Sequence, residues 1–178
     1  MFNLVARRSD LNGVDLLWDK ADFPQGSLID SSNKLFDVSA GGTVEVHPLQ
    51  SLVGELCSGN PVDVDLGNND RILLGDPLEG PISLRFNPAV RAVGAQIAGV
   101  PAPCKFTANL QVWGDKGSKI DFRREVSTRP SNGSTAAFMG VVSHSNNKEN
   151  IIHIEFNIIN AREKSITQFA INHLSVEV

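Results

Sequence analysis

Short segments in which apolar and polar residues alternate recur along this chain, and they constrain its fold more than any other feature. Ile82, Leu84 and Phe86 alternate with polar neighbours, which is the period of a strand that has one face in a core. Roughly nine to eleven such segments, with turn signals between them, are typical of a sandwich or barrel. No stretch has a clear helical period, and parallel strands need helical crossovers. The pattern therefore predicts an all-β fold, an antiparallel two-sheet β-sandwich that is jelly-roll-like.

Two stretches predict local pairing of strands. In residues 81–99, Asn87-Pro88 is expected to end the first strand, because proline has no amide hydrogen for the ladder. A second strand with Val93 and Ile97 on one face follows, so we expect a hairpin. A further hairpin is expected where the alternation that ends at Val112 meets the turn signal Gly114–Ser118.

The apolar phase slips in the last strand. Ile171 and Leu174 fall on opposite parities, and one extra residue at Asn172-His173, a β-bulge, restores a common apolar face. The strand from Ile152 to Ile158 is expected to point His153 outward. The residues expected in the core share the inward position of their strands: Phe86, Val93, Leu110, Phe138, Ile154, Phe156 and Ile171.

Composition limits the classes of function. At 178 residues and 19.2 kDa, the chain is expected to form a single domain over residues 1–178. A net charge of -4 gives no general attraction to nucleic acid, and no apolar run is long enough for a membrane span. Residues 1–10 carry their charges after a short apolar run, the reverse of a secretion signal, so no export signal is expected.

The two cysteines, Cys57 and Cys104, lack the spacing of a zinc site. They leave two alternatives. One is a disulfide that closes a long loop and adds about 4 kcal/mol of stability in an oxidising compartment. The other is a pair of free thiols.

Short motifs spread over residues 14–176 carry a resemblance: Val14–Trp18, Ser39–Val46, Val93–Ile97, Phe106–Leu110 followed by Trp113-Gly114, Ala137–Val141, Ile151–Phe156 and Phe169–Ser175. Together they resemble the exported bacterial β-sandwich proteins that are often found with a PEP-CTERM sorting tail. The resemblance implies a jelly-roll-like sandwich in an extracellular or cell-surface protein, usually without known catalysis.

The acidic stretch from residue 63 to residue 70 has the composition of a calcium loop, since calcium prefers several carboxylate and carbonyl oxygens in one turn. Asp63, Asp65 and Asp70 are its candidate ligands. The resemblance adds Asn172, because sandwiches of this kind can hold a structural calcium near that strand. The alternative is a strand whose acidic side chains point outward into water.

We expect a non-enzymatic domain that binds a polysaccharide or a protein surface, because no nucleophile elbow, zinc helix or phosphate loop occurs. The candidate ligand-binding residues are Trp113 and Asp115, at the polar turn. With no Tyr and two Trp in the chain, weak binding is expected. In the alternative, Trp113 only covers a neighbouring strand. A further alternative is a carbohydrate-active enzyme, a glycoside hydrolase or lyase, whose carboxylates converge only in the folded chain.

Overall fold

The computed structural model describes residues 2–16, 27–29, 36–39, 43–48, 54–57, 64–66, 72–129, 135–144 and 149–178. Apart from a short 3-10 turn at Arg8–Asp10, these residues contain no helix, and none of their segments meets the helical length and apolarity needed to cross a membrane. The strands are β1 (Phe2–Val5), β2 (Val14–Leu16), β3 (Ser27–Ile29), β4 (Phe36–Ser39), β5 (Thr43–Pro48), β6 (Gly54–Cys57), β7 (Ile72–Gly75), β8 (Ile82–Val90), β9 (Ala92–Val100), β10 (Cys104–Gly114), β11 (Lys119–Thr128), β12 (Ala137–Ser143), β13 (Ile151–Ile158), β14 (Gln168–Ile171) and β15 (Leu174–Glu177).

The strands form two antiparallel sheets. The small sheet has the order β11-β10-β13-β8-β5-β4. The large sheet has the order β1-β12-β9-β14-β7-β6-β3, with β15 pairing with β2 and β9. From β7 to β10 and from β11 to β14 the chain alternates between the two sheets. The predicted antiparallel two-sheet sandwich is therefore confirmed.

The main core lies between the two sheets, because the apolar residues that alternate along each strand point toward the other sheet. Ile82, Leu84 and Phe86 from the small sheet meet Val93 and Ile97 from the large sheet in one buried cluster. Of the predicted core residues, Phe86, Val93, Leu110, Ile154, Phe156 and Ile171 belong to this cluster. Phe138 does not.

Phe138 is buried on the other side of the large sheet. It packs in a smaller cluster with Leu11 and Ala92, whereas its neighbours Met139 and Val141 face the main core. Both faces of β12 carry buried apolar residues, so the alternation of residues could not show which face packs against the other sheet.

The hairpin predicted over residues 81–99 is wrong. β8 continues through Pro88 to Val90, and β9 then starts in the other sheet. The register between β13 and β8 shifts so that five steps along β8, from Arg85 to Val90, oppose two steps from His153 to Ile151. This irregularity accommodates a proline that a regular ladder would exclude. The stretch is a crossover between the sheets.

The second hairpin and the bulge are confirmed. β10 pairs with β11 across a turn in which Gly117 has a φ of 87°, a conformation that favours glycine. In the last strand, β9 pairs Ile97 with Ile171 but Gly94 with Ser175, so one extra residue is inserted between the two pairs. The insertion lets Ile171 and Leu174 share the main core.

Candidate functional site

One row of side chains crosses the outer face of the small sheet. Trp113 on β10 pairs in register with Lys119 on β11 and with His153 on β13, and His153 pairs with Arg85 on β8. All four residues alternate with residues of the main core, so their side chains lie on the outer face of the sheet. We call Lys119, Trp113, His153 and Arg85 the Trp113 row.

Both faces of the Trp113 ring are in contact with neighbours in this row. The His153 ring stacks on it with a centroid distance of 4.0 Å and an interplanar angle of 18°. On the side of β11, the Lys119 Nζ atom lies 4.5 Å from the ring centroid in a cation–π contact. Trp113 therefore lies outward, as predicted, and also covers a neighbouring strand, as the alternative proposed.

Beside Trp113, His153 is held by two polar residues, Ser83 and Glu155, which pair with each other in the next row of the same outer face. Its Nε2 atom lies 2.8 Å from Ser83 Oγ, and Ser83 Oγ donates to Glu155 Oε1 at 3.3 Å. His153 and Ser83 are 9% and 0% exposed. The sequence predicted an outward His153, but stacking by Trp113 and these hydrogen bonds bury it.

This trio of residues, Ser83, His153 and Glu155, does not form a catalytic triad. Ser83 and Glu155 both approach Nε2 of His153, at 2.8 and 3.4 Å, whereas a triad places its serine and its acid on opposite ring nitrogens. The fully buried Ser83 hydroxyl is also inaccessible to a substrate. The trio fixes the orientation of the His153 ring.

The turn after Trp113 is held by Glu149, a buried acid that precedes β13. Glu149 Oε1 accepts hydrogen bonds from Ser118 N at 3.1 Å and from Ser118 Oγ at 2.7 Å. A side chain at Gly114 would collide with this carboxylate, so glycine leaves the space that Glu149 fills. The exposed Asp115 also ties the turn to the loop before β13, since Asn150 N donates to Asp115 Oδ1 at 3.1 Å.

Two acidic residues lie in the next row of the same face. Gln111 on β10 pairs in register with Asp121 on β11 and with Glu155 on β13. Strands lie about 4.8 Å apart, so the two acidic residues are about 10 Å apart at their Cα atoms. Asp121 forms an ion pair with Arg123 at 2.9 Å.

Asp65 is the candidate calcium ligand that the structure describes most fully. It is 2% exposed, so the alternative in which it points into water is wrong. Its Oδ2 atom accepts from Thr135 Oγ1 at 3.2 Å, and among the described residues its Oδ1 atom has no hydrogen-bond partner. Asp63 and Asp70 lie outside the described residues.

Asn172 is already bound to a neighbouring amide. Gln96 N donates to Asn172 Oδ1 at 2.9 Å, and Asn172 Nδ2 donates to Gln96 Oε1 at 2.8 Å. Within the described part of the chain no three His, Cys, Asp or Glu side chains form a metal-binding group. The calcium site stays a prediction, and Asp65 is the residue that supports it.

A cavity of about 290 Å³ lies on the outer face of the large sheet, lined by residues that include Arg8, Gln96 and His173. Asp15 beside it accepts from Ser175 Oγ at 2.6 Å and from Arg8 Nε at 2.7 Å. Burial alone would raise the pKa of Asp15, but these hydrogen bonds and the nearby positive charges lower it overall. Arg8 also donates to two backbone carbonyls, so its guanidinium serves to tie down the N-terminal segment.

Cys104 is a free thiol, so the disulfide alternative is wrong and the free-thiol alternative holds for this residue. It lies at the start of β10 in the small sheet, where its Sγ atom donates to Gly99 O at 3.3 Å. Burial raises the pKa of the Cys104 thiol. A thiolate is the reactive form, so this thiol is poorly suited to nucleophilic chemistry.

No protein-family model, curated protein or solved structure matches this chain. The choice of the Trp113 row as the candidate site is therefore supported by the geometry of its side chains and not by similarity to a known protein. Sequence reasoning found Trp113 but missed Lys119, Arg85 and the contacts of His153 with Ser83 and Glu155. Lys119 lies across the hairpin turn from Trp113, whereas Arg85 and His153 reach the row only through pairing between strands that are distant in sequence.

Proposed function

We propose that this chain is a non-enzymatic binding domain whose outer small-sheet face holds an extended polysaccharide rich in acidic sugars. The observation that carries the proposal is the Trp113 row, in which one aromatic ring lies in register between two cationic side chains. An exported or cell-surface location belongs to the same proposal, and the resemblance described above supports it.

The row suits a sugar because one face of the Trp113 ring can be freed at small cost. Lys119 is exposed, and a cation–π contact at an exposed site contributes only about 0.5 to 1 kcal/mol. A sugar ring can replace the lysine over the indole, while the Lys119 ammonium pairs with a sugar carboxylate. His153 stays stacked on the opposite face and keeps the indole in place.

The charges on this face favour an acidic ligand. Arg85 is exposed, and it lies at the far end of the row from Lys119. The two acids of the next row are already engaged, Asp121 by Arg123 and Glu155 by Ser83 and His153. Two accessible cations thus lie at the two ends of the row that contains the ring.

Calorimetry with a soluble polyuronate, a sulfated polysaccharide and a neutral glucan tests the proposal. We expect micromolar to millimolar affinity for the polyuronate, falling as salt rises, and little affinity for the glucan. Trp113→Ala should weaken binding by about tenfold or more, and Arg85→Gln by a few-fold.

Lys116→Gln is the matched control, because Lys116 is an exposed lysine in the adjacent turn and lies outside the row. It should leave the affinity unchanged. Equal loss in this variant and in Arg85→Gln would mean that only overall charge matters. Absence of binding to every polysaccharide would refute the proposal.

Asp121 and Glu155 favour one alternative, a glycoside hydrolase or lyase, because both flank Gln111 on the same face. Glycosidase carboxyl groups lie about 5 to 9.5 Å apart, and side chains from these backbone positions can reach such a separation. Reducing ends that appear over time with the wild-type chain and not with Glu155→Gln would establish the enzyme instead.

A structural calcium at Asp65 is the remaining part of the proposal. A buried carboxylate oxygen without a hydrogen-bond partner among the described residues favours a cation ligand. Adding calcium after chelation should raise the melting temperature by about 5 to 11 °C once its concentration is about a hundred times Kd.

Asp65→Asn should abolish this rise, whereas the exposed Asp10→Asn should keep it. A wild-type melting curve that calcium leaves unmoved at millimolar concentration would exclude the site.

A further inference from the structure

β11 forms one edge of the small sheet. Within the described part of the chain it pairs only with β10, and it runs for ten residues, Lys119–Thr128. Residues 119, 121, 123 and 125 on it are exposed. A long edge strand with open backbone groups is a template for pairing with another strand.

The turn shows which backbone groups of β11 face the open edge. Gly114 N donates to Ser118 O, and hydrogen-bonded pairs alternate along an antiparallel ladder. The bonded pairs therefore continue at Val112–Ile120 and Leu110–Phe122. The N–H and C=O groups of the odd-numbered residues between 119 and 125 point away from β10, toward the edge.

The charges on these residues complement one another when two copies of β11 run in opposite directions side by side. The outward residues read Lys119, Asp121, Arg123 and Glu125. When two copies of β11 pair antiparallel about Phe122, Lys119 lies opposite Glu125 of the other copy, and Asp121 lies opposite Arg123. Each opposite-charge pair occurs twice by symmetry.

Neighbouring registers are repulsive. Sliding one strand by two residues, the smallest shift that keeps the hydrogen bonds, places Asp121 opposite Asp121 of the other copy and Lys119 opposite Arg123. Moving it the other way places Arg123 opposite Arg123 and Asp121 opposite Glu125. Like charges directly opposite each other destabilise a strand pair, so the charge pattern favours the register centred on Phe122 over both of its neighbours.

We infer that β11 is a self-association edge and that its partner is β11 of a second copy of this chain. The two small sheets then form one continuous antiparallel sheet about a two-fold axis at Phe122. This axis is perpendicular to the sheet, so the outer faces and both Trp113 rows lie on the same side. The inference stands independently of the polysaccharide proposal, although two aligned rows would add avidity to it.

Charge reversal with mixing tests the inference by analytical ultracentrifugation over a range of concentrations. The wild-type chain should form a dimer. Asp121→Lys and Arg123→Glu each create like-charge pairs, and each should raise the dimer dissociation constant by about tenfold or more. An equimolar mixture of the two variants restores opposite charges at both central pairs, so it should dimerise again.

The matched controls are Glu163→Lys and Arg162→Glu, which make the same charge changes at exposed positions in the turn before β14. Both should dimerise like the wild-type chain. If a single variant fails to fold, the double variant Asp121→Arg with Arg123→Asp keeps the internal ion pair. It should pair with itself and not with the wild-type chain.

Three results would overturn the inference. A wild-type chain that stays monomeric up to several hundred micromolar would do so. So would a dimer that Asp121→Lys leaves intact, because it would use another surface. A mixture of the two reversed variants that stays monomeric would show that the charge pairs do not set the contact.

Discussion

Replacing Phe156 by alanine will destabilise the domain by about 3 to 5 kcal/mol, because the change leaves a cavity at the centre of the small sheet. Phe156 is 0% exposed and pairs in register with Leu110 on one side and Ile82 on the other. All three side chains belong to the core between the sheets. Urea unfolding at equilibrium measures the change.

Two isoleucines on the same strand provide the control. Ile154 is buried in the main core, whereas Ile152, two residues earlier, is only half-buried at the register shift of β13. Ile154→Ala should cost about 2 to 5 kcal/mol, and Ile152→Ala clearly less. Equal costs would mean that the register shift is misplaced.

Replacing Glu149 by alanine will destabilise the chain by about 2 to 4 kcal/mol and will loosen the turn that follows Trp113. Glu149 is 5% exposed, and its carboxylate accepts two hydrogen bonds from Ser118. Hydrogen bonds to a charged group contribute about 1.5 to 3 kcal/mol each, and the loss leaves the two half-buried Ser118 donors without this acceptor. Thermal unfolding and tryptophan fluorescence measure the two effects.

Glu149→Gln keeps an acceptor oxygen, so it should lose clearly less stability than Glu149→Ala. Glu163→Ala, at an exposed position, should change stability by no more than about 0.5 kcal/mol. A Glu149→Ala variant as stable as Glu163→Ala would show that this carboxylate does not hold the turn.

Alternation predicted the fold class and most of the core from sequence, because a strand with one buried face has apolar residues at every second position. The bulge at Asn172-His173 was predictable for the same reason, since the phase of the apolar residues slips there. Ile152 shows the limit of this reasoning. Its parity matches that of Ile154, but a local register shift puts Ile151 in the core instead.

The error at Pro88 has a different physical origin. Sequence identifies a proline that a regular ladder cannot use, but it does not distinguish a turn from a bulge within a longer strand. Pairing of β8 with β13 and of β9 with β12 decides the matter, and these partners are distant in sequence. The crossover at Arg91 therefore became apparent only from the sheets.

The candidate site was only partly predictable for a related reason. The turn signal and the outward parity identified Trp113 from local sequence. Lys119 is a turn away from it, but His153 and Arg85 come from strands that only tertiary pairing places beside β10. The burial of Ser83, a polar residue in the alternation of β8, and of Asp65, which one alternative placed in water, likewise depends on residues that are distant in sequence.

Mapping a bound polyuronate by nuclear magnetic resonance tests the central claim most directly, because it locates the ligand on one face of the sandwich. We expect the largest shifts on Trp113, including its indole N–H, and on Gln111 and His153, whose side chains share the outer face of the small sheet. Shifts that concentrate instead on Gln96, Phe138 and Ser175, around the cavity of the large sheet, would contradict it.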